Sequence, residues 1–212
     1  MIKVNEIFFS IQGESTFCGF PTVFVRTTSC NLRCTYCDTK YSYYEGSTKT
    51  VENIIEEIKI YPAKFVCITG GEPLLQVEIF QLMTELCNLG YKVSLETSGS
   101  KSIQKVDPRV KVILDVKTPD SGARDSFLME NLQYIRVDTE IKFVICSRQD
   151  FFWSENFCKA HNLFHRSHVL YSPSFEEIPK RELAELILKN GSEARLQLQM
   201  HKYIWEPTTR GV

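Results

Sequence analysis

Apolar runs recur along the chain: "TVFVRTT" (22–28), "KFVCITG" (64–70), "KVSLETS" (92–98), "VKVILDVK" (110–117), "EIKFVIC" (140–146) and "HVLYSP" (168–173), with "RLQLQMH" (195–201) as a weaker seventh. Most are short, rich in β-branched residues and bounded by polar ones, as buried strands are. Between them the period changes. Val51, Ile54, Ile55 and Ile58 follow the i, i+3, i+4, i+7 spacing of an amphipathic helix; Leu75, Ile79, Leu82 and Leu86 follow it approximately, and Leu183, Leu186 and Ile187 repeat it near the end. Gly90 in "NLGYK" stops the second of these helices. Strands alternating with helices predict a parallel sheet with helical crossovers. Six or seven strands are too few for an eight-stranded barrel, so the expected fold is α/β, a shortened, open parallel (β/α) barrel, or partial TIM barrel. No repeat, low-complexity tract or long linker divides the 212 residues, and one domain spanning 1–212 is expected.

Composition narrows the class. A net charge of −1, with Lys101, Lys105, Arg109 and Lys111 as the densest basic group, gives no electrostatic reason to expect nucleic acid as a partner. No apolar stretch approaches membrane-spanning length, and "MIKVNEIFFSIQGES" lacks a secretory cleavage pattern, so neither membrane nor export is expected and the cytoplasm is the expected compartment. Eight cysteines in a chain that is neither small nor secreted do not form a disulfide framework. Cys67 and Cys146 sit in strand-like runs and read as small core hydrophobes; Cys87 and Cys158 read as packing residues, and Cys18 as part of a turn.

The other three, Cys30, Cys34 and Cys37, fall within eight positions of "SCNLRCTYCDTKYS". Three thiolates without a fourth nearby allow two readings. A zinc site could draw its fourth ligand from His161, His165, His168 or His201. A cubane iron–sulfur cluster held by three cysteines instead leaves one iron free for a small molecule. Placement adds to this. In parallel barrels the working residues gather at the C-terminal strand ends. The cysteine loop follows the first strand, "TGGEP" (69–73) the second, "ETSG" (96–99) the third, "DVKTP" (115–119) the fourth and "YSP" (171–173) the sixth. Gly70-Gly71 serves either as a turn or as backbone exposed to a ligand. "ETSG" is either a cap and turn or a hydrogen-bonding edge for a ribose or amino acid. Lys117 at a strand end is either a surface lysine or one with a carboxylate partner. Arg26 is a lone charge in an apolar strand, either a structural ion pair with Glu14 or Glu72 or a group facing a cavity.

The C-x3-C-x2-C loop, "TGGEP" and the partial barrel resemble the radical S-adenosylmethionine (SAM) superfamily. "FFSIQGES" (8–15), "FVRTTSCNLRCTYCDT" (24–39), "ETSG", "DVKTPDSG" and "HKYIW" are similar to the 7-carboxy-7-deazaguanine synthases within it. That resemblance covers the chain from about residue 5 onward, most densely before residue 120. It implies a lyase that contracts the ring of 6-carboxy-5,6,7,8-tetrahydropterin with loss of ammonia, feeding queuosine and related 7-deazapurines. The implied cofactors are a [4Fe–4S] cluster, SAM and magnesium. The implied partners are the pterin, a reducing electron donor such as flavodoxin or ferredoxin, and a second copy in a homodimer. By the same resemblance, Cys30, Cys34 and Cys37 hold the cluster and Thr39 binds magnesium. Tyr36, Asp38, Gly71, Glu72, Ser98, Lys117 and Ser172 contact SAM, and Gln12, Gly13, Glu14, Arg26, Thr69, His201 and Pro207 contact the pterin. The chain departs from the family pattern twice. It has Asp115-Val116-Lys117 where members often read Ser-Pro-Lys, and "TTRGV" continues beyond Pro207. A glycyl-radical activase is the neighbouring alternative within the superfamily, and a zinc-stabilised binding module the alternative outside it.

Overall fold

The computed structural model describes residues 1–175 and 177–212. All seven expected strands form and pair in chain order in one parallel array: β2 (Pro21–Thr27), β4 (Phe65–Gly70), β5 (Lys92–Thr97), β6 (Lys111–Asp115), β7 (Glu140–Ile145), β8 (His168–Pro173) and β9 (Arg195–Leu196). The short β9 joins through Leu170 opposite Arg195 and Tyr171 opposite Leu196. Two further strands complete a nine-stranded sheet. β1 (Ile2–Ile11) runs antiparallel to β2, and β3 (Ser47–Lys49) pairs antiparallel on its far side. The edges β3 and β9 do not meet, so the barrel stays open.

The period of two within each strand divides the sheet into two unlike faces. Val23 and Val25, Val66 and Ile68, Val93 and Leu95, Val112 and Leu114, Ile141 and Phe143, and Val169 and Tyr171 belong to one apolar core. The helices that cover it are α1 (Val51–Lys59), α2 (Ile79–Asn88), α3 (Arg148–Ala160), α4 (Leu163–Arg166) and α5 (Lys180–Asn190); the short α6 (His201–Ile204) lies beyond β9. The alternate positions, which include Arg26, Thr69, Glu96, Asp115 and Lys142, point the other way and line a cavity. On that face Phe8, Phe24 and Cys67 form a small apolar cluster, with the two rings stacked at 4.9 Å.

Local chemistry accounts for the helix boundaries. Thr50 caps α1 by accepting from the Asn53 N–H at 3.2 Å, and Ser147 caps α3 through the Asp150 N–H at 3.3 Å. Gly90, at φ +87°, supplies the left-handed residue just after α2. Cys67 and Cys158 are fully buried, as expected, whereas Cys146 is not a core residue. It lies one position beyond β7, half-buried, where its N–H donates to Asp150 Oδ2 at 3.0 Å. No helix among the described residues is long and apolar enough to cross a membrane.

Candidate active site

A cavity of about 670 Å³ occupies the inner face of the sheet and opens at the C-terminal strand ends. All the residues that the family resemblance assigns to a site line it except Glu72 and Ser172, whereas of the candidate zinc histidines only His201 does.

The cysteine loop forms one wall. It leaves β2 through Ser29, which holds φ at +80°, a left-handed conformation unusual for a residue with a Cβ. The strain is held from both sides, since the Ser29 N–H donates to the Ser42 carbonyl at 2.9 Å and its carbonyl accepts from the Glu72 N–H at 2.8 Å. The turn at Gly71 packs so closely on this loop that a Cβ there would lie 2.1 Å from the Ser29 oxygen and 2.9 Å from Cys30 Cβ. Two glycines thus bring "TGGEP" against the cysteine loop, with Gly70 at φ +142°.

The thiols of Cys30, Cys34 and Cys37 are unbridged, half-buried and face the cavity. Burial pushes the Cys30 and Cys34 thiols up, with Lys117 opposing the rise at Cys34. Among the described residues, no three His, Cys, Asp or Glu side chains stand close enough to share a single metal ion. The three free thiols facing one cavity are the donor type an iron–sulfur cluster takes, one cysteine to an iron. Beside them, the buried hydroxyl of Tyr36 faces the cavity with no hydrogen-bond partner among the described residues. Thr39 Oγ1 lies 3.8 Å from Cys37 Sγ.

The strands contribute a buried charge network. Lys142 on β7 bridges Glu14, in a short ion pair, and Asp115 at 3.6 Å, while Lys117 pairs with Asp115 at 3.0 Å. Burial opposes the charge of all four. At Glu14 it is outweighed by Lys142 and His201, at Asp115 by Lys117 and Lys142, and both carboxyls are held below their ordinary values. The two lysines are held above theirs by the carboxylates they face, Lys142 by Glu14 and Asp115 and Lys117 by Asp115. Glu96 differs. Burial and the nearby Glu14 charge raise it, and it accepts from Gln12 Nε2 at 3.3 Å and Thr69 Oγ1 at 3.1 Å.

Arg26 faces the cavity from β2 and pairs with a residue that sequence reasoning did not name: its Nε donates to Glu6 Oε1 at 2.7 Å. No partner is recorded for its terminal nitrogens among the described residues. At the other end the segment after β9 folds back. The Met200 N–H donates to the Gly13 carbonyl at 2.9 Å and Gln199 Nε2 to Glu14 Oε1 at 2.8 Å. A Cβ on Gly13 would fall 2.2 Å from His201 Nδ1. Burial lowers the His201 imidazole below its ordinary value, against the opposing pull of Glu14. Lys202 pairs with Asp38 at 3.0 Å, and Pro207 completes that side.

Glu72 and Ser172 stand apart from the cavity lining. Pro73 opens a short 3-10 turn, and Glu72 caps it with a carboxylate turned back into the protein. That carboxylate accepts from the Leu74 N–H (3.1 Å), Thr97 Oγ1 (2.7 Å), the Ser98 N–H (2.9 Å) and Ser98 Oγ (2.5 Å). Glu72 is therefore a strut between two strand ends and does not border the cavity, while Ser98 does. Ser172 lies within β8 on the inward side, fully buried, and its hydroxyl has no partner among the described residues. Ser174, two residues on, reaches the cavity instead. The sequence reading passed over Lys142, took Glu96 only as part of the "ETSG" edge and left Asp115 unassigned. The signal that marked Arg26, a charge at an inward position of an apolar strand, marks these three as well.

Comparison with known proteins sets this arrangement in context. The family model described as the Radical SAM superfamily matches residues 24–120. The chain is 39% identical over 214 residues to the 7-carboxy-7-deazaguanine synthase of Chlorobaculum tepidum, covering 100% of this chain and 97% of that one. It is 41% identical over 226 residues to that of Koribacter versatilis, with 100% of both chains covered. The crystal structure of QueE from Escherichia coli superposes with a TM-score of 0.79 at 23% identity, covering 94% of each chain. Partial barrel, cysteine loop and enclosed cavity define a radical SAM enzyme, and such an enzyme works with a [4Fe–4S] cluster and SAM. Within that class the full-length matches are decisive: the chain belongs to the 7-carboxy-7-deazaguanine synthase family.

Proposed function

We propose that this chain, acting as a single domain, converts 6-carboxy-5,6,7,8-tetrahydropterin to 7-carboxy-7-deazaguanine with release of ammonia. The observation that carries the reading is one cavity that joins three free thiols to an arginine whose terminal nitrogens have no hydrogen-bond partner among the described residues. When bound, the cluster and SAM supply a 5′-deoxyadenosyl radical for hydrogen abstraction at C6.

The residues of the chain do the rest. Cys30, Cys34 and Cys37 hold the cluster. Tyr36, Asp38, Gly71, Ser98 and Lys117 border the space left for SAM, with Lys117 kept cationic by Asp115. Glu72 serves this site by fixing Ser98, and Ser172 keeps a buried hydroxyl with no partner among the described residues. Arg26 presents a planar guanidinium fork that matches a carboxylate bidentately, so it holds the pterin's carboxylate. Gln12, Thr69 and Glu96 form a linked set of donors and acceptors for the polar edge of the ring, and Gly13, Glu14, His201 and Pro207 close the far side. Clamping the carboxylate fixes the C6–H bond, where an ångström of misplacement costs about 100-fold in rate. Thr39, whose hydroxyl lies beside the cysteine loop, is the proposed magnesium ligand, because a hard cation takes oxygen donors. A reducing donor such as flavodoxin or ferredoxin, a homodimer and a cytoplasmic location complete the reading.

Anaerobic incubation with SAM, reductant and the carboxytetrahydropterin, followed by mass analysis, tests it. The expected products are 7-carboxy-7-deazaguanine and ammonia. Recovery of unchanged pterin from protein with a full iron and sulfide complement would overturn it. A lower magnesium affinity in Thr39→Ala, with the cluster intact, is expected; identical titrations would remove that role.

A further inference from the structure

The segment beyond Pro207 folds over the mouth of the cavity. Glu206, Thr208 and Val212 line it together with Pro207. The segment is fixed by Arg210, whose guanidinium carbon lies 3.7 Å from the centre of the Tyr41 ring and whose Nη1 is 3.1 Å from Glu45 Oε2. Tyr41 belongs to the turn that follows the cysteine loop, and its hydroxyl donates to Glu6 Oε1 at 2.8 Å. The same oxygen receives Arg26 Nε at 2.7 Å. A continuous line of contacts therefore runs from Arg210 through Tyr41 and Glu6 to Arg26.

The backbone is arranged to deliver Glu6 to this place. The pairing of β1 with β2 slips between Val4 and Glu6, leaving Asn5 as the extra residue, and Glu6 comes directly opposite Arg26. Such a bulge re-aims a side chain. Asn5 Nδ2 donates to the Glu45 carbonyl at 2.9 Å, so the bulge is anchored to the residue that also holds Arg210.

We infer that Arg210 and Tyr41 are positioning residues for the Arg26 clamp: by holding Glu6 on Nε, they leave both terminal nitrogens of Arg26 directed at the substrate carboxylate. This rests on the reading of Arg26 as the carboxylate's partner. Tyr41 Oη and Arg26 Nε converge on one carboxylate oxygen, so the loss of either loosens the other. Arg210 is half-exposed, and its contribution through the Tyr41 face is correspondingly modest.

The test measures equilibrium binding of the carboxytetrahydropterin, and of an analogue lacking the carboxylate, to anaerobic holoenzyme without reductant. Arg210→Ala and Tyr41→Phe are each expected to weaken the carboxylated ligand about 3- to 10-fold. The analogue's affinity should stay within about twofold, and the double variant should lose less than the product of the two. Arg210→Lys, which keeps a cation over the ring, should restore part of the loss. In turnover the effect should appear in KM more than in kcat. Equal weakening of both ligands by Arg210→Ala, or none, would overturn the inference. Arg26→Lys separates the two layers. If it is selective for the carboxylate while Arg210→Ala is not, only the positioning role falls. If Arg26→Lys is unselective, the clamp falls and the positioning role falls with it.

Discussion

Replacing Lys142 with methionine removes the one cation among the described residues that pairs with both Glu14 and Asp115, and keeps a side chain of similar length. Glu14 is 8% exposed, and Lys142 is equally buried. Asp115 retains Lys117 at 3.0 Å; among the described residues Glu14 keeps the Gln199 donor at 2.8 Å, with His201 nearby. Breaking a buried pair by deleting one partner costs about 3–5 kcal/mol, because the remaining charge is left without compensation. The cost should depend on pH. In the parent protein Glu14 and Asp115 have depressed values, so their stabilisation is complete above their unfolded values of 4.5 and 3.8 and fades as pH falls through the folded ones. Without Lys142, burial dominates at Glu14 and its folded value rises above 4.5. The variant then loses stability as pH climbs from about 4.5, by about 1.4 kcal/mol for each unit of elevation, and levels off above the new value. Urea unfolding of cluster-free protein at pH 8 and pH 5 measures this directly. The gap between parent and variant should be about 3–5 kcal/mol at pH 8 and clearly smaller at pH 5. Glu14→Gln added to Lys142→Met should recover part of it. A gap under about 1 kcal/mol, equal at both pH values, would refute the argument.

The remaining predictions address the cysteine loop and its supports. Gly71→Ala must displace the Ser29–Cys30 backbone by roughly an ångström, so SAM affinity and cluster content should fall while the far-UV spectrum stays native; unchanged SAM binding would contradict the close packing. Glu72→Ala should destabilise cluster-free protein by about 2–4 kcal/mol by leaving the Ser98 and Leu74 N–H groups unpartnered. A SAM defect with parental stability would instead make Glu72 a direct ligand. Cys34→Ala should lose cluster iron, whereas Cys67→Ala, opposite Phe24 in the apolar cluster, should keep it and lose only about 1–3 kcal/mol; iron analysis and unfolding curves distinguish the two.

Six of the parallel strands were legible because each has an apolar face packed beneath helices, whereas the two-residue β9 was the weakest signal. β1 was not legible, for a reason visible in its packing. Ile2 and Val4 belong to the core, but after the slip at Asn5 the residues packed on that core are Ile7 and Phe9. The hydrophobic phase moves by one residue, and the run reads as broken. The third helix was hidden differently. Its buried positions, Asp150, Phe151, Ser154, Glu155 and Cys158, keep helical spacing, but three of the five are polar. Asp150 is buried because it receives Thr118 Oγ1 and the Cys146 and Asp120 N–H groups, a use that hydrophobic periodicity cannot reveal. The cavity was legible as a rim of polar strand ends. Its depth was not, because Glu96, Asp115 and Lys142 are isolated inward charges, and only the folded register shows that they meet.

Turnover of pterin deuterated at C6 tests the central claim, that one cavity places the C6–H bond against the radical source. The account predicts deuterium in the 5′-deoxyadenosyl group of recovered SAM or in 5′-deoxyadenosine, together with 7-carboxy-7-deazaguanine. In Arg26→Lys, SAM cleavage should continue with a smaller share of deuterium transferred. Formation of the product by the parent enzyme with no deuterium in the adenosyl fraction would contradict it.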